Sequence, residues 1–289
     1  MPPEHPADQH TTAKPWTDLP EPPPEVRLVV ADMDGTLLDA DQRVPDAFWG
    51  LLATMVERGI VFVPASGRQH RTLADMFDGR DGITSFIAEN GTVVVLDGEV
   101  VDTTEIDPSV VVDVIRVVRE AAEERDLGLV VCRADGAVIE RTDARFREQC
   151  DIYYHRLDEA GDLLEHTEGV VKLAIYDFAD AEETADEVLG RFAEDQQVAV
   201  SGKHWIDVMD ASAHKGHGVR ALQEALGASR AQTVVFGDYL NDLQMFDEAD
   251  LGFAMDNAHE RIKDVAAYIA PSNADAGVVQ VLRRLLGED

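Results

Sequence analysis

The sequence predicts an α/β protein built on a doubly wound, Rossmann-like parallel sheet, with an α+β segment inserted into it. Three observations carry that expectation. Short apolar runs alternate with amphipathic stretches from residue 26; the first of these runs end in polar strings that carry glycine; and the rhythm changes near residue 98 before resuming after about 212. Continuous apolar runs are the mark of strands buried on both faces, and strand–helix–strand order brings parallel pairing with it.

In chain order, Val26–Ala31 is the first strand and feeds the polar string Asp32-Met33-Asp34-Gly35-Thr36. Between Pro45 and Gly59, the residues Phe48, Leu51, Leu52, Met55 and Val56 recur at helical spacing, with proline near the start and glycine just past the end. Ile60–Ala65 is a second strand leading to Ser66-Gly67-Arg68, a helix is expected near 69–77, and Ser85–Ala88 is a third strand. Within the insert the expectation is a helix over 109–125, short strands around Gly128–Cys132 and Ala137–Glu140, a strand over Val170–Tyr176, a helix over 181–194, and apolar pieces at 198–200 and 205–209. The alternation then returns with a helix from Gly216 to Leu226 capped by Gly227, a strand Val234–Phe236 ending in Gly237-Asp238, apolar stretches at 251–255 and 267–270 with a helix between them, and a last helix over 275–286. The organisation expected is a tail over 1–25, a core over 26–97 and 211–289, and an insert over 98–210.

Eight of the twelve prolines fall within residues 1–24, which lack apolar periodicity, so that segment is expected to be a disordered or polyproline-like tail. The chain has 57 acidic and 25 basic residues and a formal charge of −32; the first 25 residues hold only five of the acids and one base, so the acidity belongs to the folded body. Such a surface repels a phosphodiester backbone or an anionic lipid face, which argues against nucleic-acid and membrane partners. Cys132 and Cys150 are too few for a disulfide framework or a thiolate zinc site. No run of about 18 apolar residues exists and the N-terminus lacks the basic-then-apolar order of a secretory signal, so a cytoplasmic protein is expected.

Acidic strings at predicted strand ends carry the chemistry. Carboxylates two apart at the end of an extended strand point into one site, and a following Gly-Thr allows a turn whose N–H groups bind oxyanions. Asp32, Asp34, Asp238 and Asp242 together make an oxygen-rich cluster suited to a hard divalent cation, with Mg2+ favoured beside phosphate.

These residues resemble the haloacid dehalogenase-like superfamily. Asp32-Met33-Asp34-Gly35-Thr36-Leu37 is similar to its first motif, Ser66 to its second, Lys215-Gly216 to its third, and Gly237-Asp238-Tyr239-Leu240-Asn241-Asp242 to its fourth. The strings Ala65-Ser66-Gly67-Arg68 and Glu89-Asn90-Gly91-Thr92, with the insert between the second and third motifs, resemble Cof-type phosphatases with a type IIB cap. The resemblance implies a Mg2+-dependent phosphatase acting on a small phosphorylated metabolite, a sugar phosphate first. It implies Asp32 as nucleophile and Asp34 as general acid and base. The metal is expected on Asp32, the Asp34 carbonyl, Asp238 and Asp242, the phosphoryl oxygens on Ser66, Lys215 and Asn241, and substrate contacts on Arg68 and Asn90. A phosphotransferase or phosphomutase of the same superfamily is the alternative, and a non-catalytic binding module a more remote one.

Elsewhere, His214 and His217 flank Lys215 and read as a surface turn or phosphate-site lining, Trp49 and Trp205 as core. Arg133, Arg141, His155, Arg156 and Lys172 read singly as solvated charges on an exposed sheet face.

Overall fold

A computed structural model describes residues 13–80, 82–201 and 203–288. The described residues form two compact units, one up to Pro64 and from Gln223 onward, the other within Ala65–Leu222. The strands are β1 (Lys14–Pro15), β2 (Leu28–Asp32), β3 (Val61–Ala65), β4 (Phe86–Ala88), β5 (Val93–Leu96), β6 (Glu99–Thr103), β7 (Leu127–Arg133), β8 (Gly136–Ile139), β9 (Leu157–Glu159), β10 (Val170–Asp177), β11 (Gln196–Val200), β12 (Trp205–Asp210), β13 (Thr233–Gly237), β14 (Leu251–Met255) and β15 (Tyr268–Ala270).

In the first unit the strand order is β1-β15-β14-β13-β2-β3. The pairs from β1 through β2 are parallel, as the alternating pattern requires. Every residue of β2 and β13 is buried, the burial that their continuous apolar runs imply. Phe236, Phe253 and Tyr268 stack across β13, β14 and β15 with ring centroids 5.1 Å apart at each step. The helix Phe48–Glu57 buries Phe48, Leu51, Leu52 and Met55 of the face read from the sequence and leaves Val56 exposed, and Gly59 at φ +70° turns the chain away. The helix Gly277–Leu286 buries an apolar stripe from Val278 to Leu286.

The expectation of disorder through residue 25 is corrected in its second half; residues 1–12 of that tail lie outside the described residues. Lys14 and Pro15 pair with Tyr268 and Ile269, the Lys14 N–H donates to the Ala267 carbonyl at 3.0 Å, and Leu19 is buried. The physical reason is the edge of the sheet. A strand there leaves a row of backbone groups to be paired, and proline is tolerated at that position because its missing N–H is not needed.

In the second unit β4 and β5 pair antiparallel, as do β5 and β6. Asp97 and Gly98, with φ +51° and +83°, make the two-residue turn between β5 and β6. The sequence reading had no counterpart for this hairpin. A second sheet has the order β11-β12-β10-β7-β8-β9, antiparallel apart from the β8–β9 pair. The helix Pro108–Ala121 covers one face, packing Val111, Val114, Ile115 and Val118 in one core with Leu129, Val131, Leu173, Ile175, Ile206 and Val208. Proline at its first turn and Asp107 accepting the Ser109 N–H at 2.8 Å start it. Where one helix was expected over 181–194, the chain makes helical turns of changing pitch that seat Leu189 in the same core. The helix Ala144–Asp151, capped by Asp143, was not foreseen.

Because strand side chains alternate between faces, the opposite face of that sheet carries Cys132, Lys172 and Asp207. Lys172 stands opposite Cys132 in the ladder, and its neighbour Ala174 stands opposite Asp207. Cys132 and Cys150 are buried free thiols whose pKa values burial pushes up, that of Cys150 to about 12. Among the described residues no helix is long and apolar enough to cross a membrane.

Candidate active site

The first unit brings three of the predicted carboxylates together. Strands β2 and β13 run parallel with Ala31 beside Phe236, so Asp32 and Asp238 leave the sheet at the same end. Asp242 joins them from the turn that follows, and one oxygen of each of the three lies within 4.8 Å of the others. Asp32 and Asp242 are buried and Asp238 is half-buried. One oxygen of Asp242 also shapes its own loop, accepting the Asp238 N–H at 2.9 Å and the Tyr239 N–H at 3.1 Å. That packing leaves no room at Gly237, where an added Cβ falls 2.7 Å from the Asp242 Cβ.

Asp34 is exposed on extended backbone (φ −79°, ψ 120°) at the start of the loop and lies outside the triad. Gly35 follows at φ +80°, and a Cβ there meets the Asp238 Oδ2 at 2.3 Å, so this glycine is required twice over. Thr36 Oγ1 donates to Asp238 Oδ1 at 3.2 Å, orienting a carboxylate of the triad. Asn241 is exposed on the Leu240–Asp242 turn.

The second unit assembles the other predicted residues. Ser66, buried at the end of β3, donates its N–H to the Ile87 carbonyl at 2.9 Å, and its Oγ accepts the Arg68 N–H at 3.2 Å. Lys215 is fully buried at the first residue of the helix Lys215–Leu226. Asn90 sits against Gly67, where an added Cβ would lie 3.0 Å from its Nδ2, and the Asn90 N–H donates to the Ser66 carbonyl at 3.0 Å. Arg68 is half-buried and its guanidinium meets the Met76 sulfur at 3.1 Å.

The two histidines beside Lys215 serve the helix start. His214 Nδ1 accepts the His217 N–H at 3.0 Å, and His217 Nε2 lies 2.7 Å from Asp102 Oδ2. Arg141 pairs with Asp126 and Asp143 and lies over Phe178, and His155 Nδ1 is 2.8 Å from Asp75 Oδ2. Lys172 departs from expectation: it is buried and ion-paired with Glu89. The reading missed it because a single lysine in an apolar strand carries no mark of which face it takes.

Of the two braces of the carboxylate loop, Asn257 was not foreseen, while Asn273 follows a strand end that the sequence places near the rim of the site. Asn257 Nδ2 donates to the Gly35 carbonyl at 2.8 Å and the Asn257 Oδ1 accepts the Asn273 N–H at 3.0 Å, while Asn273 Nδ2 donates to the Leu38 carbonyl at 2.9 Å. The one available signal was position, since Asn257 follows the carboxyl end of β14 as Asp32 and Asp238 follow theirs.

A parallel α/β sheet whose adjacent strand ends converge three carboxylates, with a glycine-threonine turn after the first, defines a hydrolase of the haloacid dehalogenase class. The chain belongs to the haloacid dehalogenase-like hydrolase family, whose model matches residues 29–282. It is a phosphatase of the Cof type. Among its relatives is the 5-amino-6-(5-phospho-D-ribitylamino)uracil phosphatase YbjI of Escherichia coli K12, 30% identical over 270 residues that cover 90% of this chain and 96% of that protein. The phosphatase YwpJ of Bacillus subtilis is 26% identical over 288 residues, covering 90% and 100%. The crystal structure of TM0651 from Thermotoga maritima superposes with a TM-score of 0.79 at 28% identity, covering 90% of this chain and 97% of that one. The subclass IIB sugar phosphatase BT4131 shares the fold, with a TM-score of 0.71 at 20% identity over 89% and 98% of the two chains.

Proposed function

We propose that the protein hydrolyses the phosphomonoester of a small metabolite, a sugar phosphate or related polyol phosphate, with Mg2+ as its cofactor and an aspartyl-phosphate on Asp32 as its intermediate. The observation that carries this reading is the triad of Asp32, Asp238 and Asp242, with Asp34 two residues beyond the first and outside the cluster. Three carboxylates so close repel one another unless a cation compensates them, and an all-oxygen donor set suits a hard ion. Asp32, the Asp34 carbonyl, Asp238 and Asp242 are the residues that would hold Mg2+, which supplies charge neutralisation for an anionic substrate.

Asp32 attacks phosphorus in line. Asp34 gives its proton to the leaving alcohol and then takes one from the water that hydrolyses the aspartyl-phosphate. The roles require one carboxylate charged and the other protonated at the start; a cation held by the Asp32 cluster would keep Asp32 charged, and Asp34 stands outside that cluster. Ser66, Lys215 and Asn241 hold the phosphoryl oxygens, while Arg68 and Asn90 line the substrate side. Residues 98–210 act as the cap that reads the leaving group. The ribityl-phosphate substrate in the name of the E. coli relative supports a polyhydroxylated leaving group.

The test is phosphate release from a panel of phosphomonoesters, with and without Mg2+, by the wild type and by Asp32→Asn. Turnover is expected only for the wild type with the metal. Release that survives the substitution, or that persists after chelation, refutes the mechanism.

A further inference from the structure

Glu89, Asn90 and Gly91 follow β4 with three successive positive φ angles, +49°, +56° and +99°. Left-handed backbone is disfavoured for residues with a Cβ, so such a turn persists only where its surroundings over-determine it. The turn in its own right locates two of the proposed phosphate ligands. The Glu89 N–H donates to the Arg68 carbonyl and the Asn90 N–H to the Ser66 carbonyl, each at 3.0 Å. On its other side Gly91 meets the start of the helix Lys215–Leu226 so closely that an added Cβ would stand 2.3 Å from the His214 oxygen and 2.9 Å from the Lys215 nitrogen. The spacing of Ser66 from Lys215 therefore runs through these three residues.

The Glu89 side chain is 1% exposed and its Oε2 pairs with the Nζ of Lys172, itself 4% exposed, on β10 of the other sheet. Lys172 shares its sheet face with Asp207, and the Tyr154 ring centroid lies 5.8 Å from its ammonium. Burial works against the Lys172 cation, but Asp207 and Glu89 outweigh it and hold its pKa above the ordinary value; burial raises the Glu89 carboxyl, which Lys172 opposes. A buried ion pair between two elements is a weak source of stability but an effective way of fixing one arrangement of them.

We infer that the Glu89–Lys172 ion pair is a positioning device, through which a lysine of the inserted sheet clamps the left-handed turn that spaces Ser66 from Lys215. The inference rests on the phosphate-binding roles proposed above for those two residues. Glu89 and Lys172 act through the turn, on the phosphoryl group that all substrates share. Their effect therefore falls on every phosphomonoester, whatever its leaving group.

The experiment compares Glu89→Gln, Lys172→Met, the double variant and Lys215→Ala, each checked for folding by circular dichroism. It reads kcat and KM for p-nitrophenyl phosphate and for a sugar phosphate, and inhibition by inorganic phosphate. Glu89→Gln and Lys172→Met are each expected to lower kcat/KM about tenfold for both substrates, mainly through KM, and to weaken inhibition by inorganic phosphate in parallel. The double variant is expected to lose little more than the worse single one, since the two residues act as one unit. If Lys172→Met does not fold, Glu89→Gln, which keeps the side-chain shape, decides alone. A folded Glu89→Gln with wild-type constants, while Lys215→Ala loses phosphate inhibition, overturns the positioning role and leaves the proposed function standing. A loss confined to one substrate overturns it in favour of direct contact with the leaving group. Phosphate inhibition unaltered in Lys215→Ala refutes the underlying assignment of the phosphate ligands.

Discussion

Asn257 anchors Gly35: its Nδ2 donates to the Gly35 carbonyl at 2.8 Å, and its Oδ1 is occupied by the Asn273 N–H at 3.0 Å. One side chain therefore ties the loop that carries Asp34 to the turn after β15. Asn257→Ala removes both bonds, each contributing about 1 kcal/mol, and lets Asp34, the proposed general acid, drift. The expected result is a kcat/KM reduced about tenfold with a melting temperature lower by a few degrees. Steady-state kinetics and a thermal melt check it, and unchanged kcat/KM would sink the idea.

Gly35 allows a sharper test. Its φ of +80° disfavours any Cβ, and the position a Cβ would take is 2.3 Å from the Asp238 Oδ2. Gly35→Ala must push that carboxylate out of the triad, so the Mg2+ concentration giving half-maximal activity is expected to rise at least tenfold while the protein stays folded. A metal titration of phosphate release reads this directly. An unaltered midpoint would show that the loop yields elsewhere.

Acid sensitivity of the second unit is expected to depend on Arg119. Its guanidinium holds Glu140 and, at 2.6 Å, Asp162, and hydrogen bonds from it lower both carboxyl pKa values from their ordinary 4.5 and 3.8. A depressed carboxylate stabilises the fold fully above its ordinary value and loses that contribution as pH falls through its folded-state value. Arg119→Met is expected to melt lower than the wild type at pH 7, with the gap narrowing below about pH 4. A gap that is constant from pH 7 to pH 3 would contradict the assignment.

Net charge sets a fourth expectation. At −32 the chain repels itself, and the screening length falls from about 10 Å at 0.1 M salt to about 3 Å at 1 M. The melting temperature is expected to rise between those concentrations of NaCl. A fall on adding salt would mean that surface ion pairs such as Arg125 with Glu183 and Glu187 outweigh the general repulsion.

Most of the strands and the acidic strings at their ends were legible because both rest on local patterns. Apolar runs announce buried parallel strands, and the polar string after such a run must lie at a strand end. Lys172 was illegible for the converse reason. Its neighbours on both sides are apolar, and only the register with Cys132 and the packing of the helix Pro108–Ala121 on the other face decide which way it points. The ordered segment from Lys14 escaped notice since its pairing depends on the free edge of β15, which lies more than 250 residues away along the chain.

From sequence alone come the strand–helix alternation, the acidic strings at strand ends, the membership implied by four ordered motifs and the sign of the surface. Tertiary structure alone decides which carboxylates converge, which glycines admit no side chain, and which charges are buried in pairs. The division has a physical cause. Periodicity and turn chemistry act over a few residues and are written along the chain, whereas the distance from Asp32 to Asp238, or from Glu89 to Lys172, exists only once parallel strands and packed faces have brought remote segments side by side.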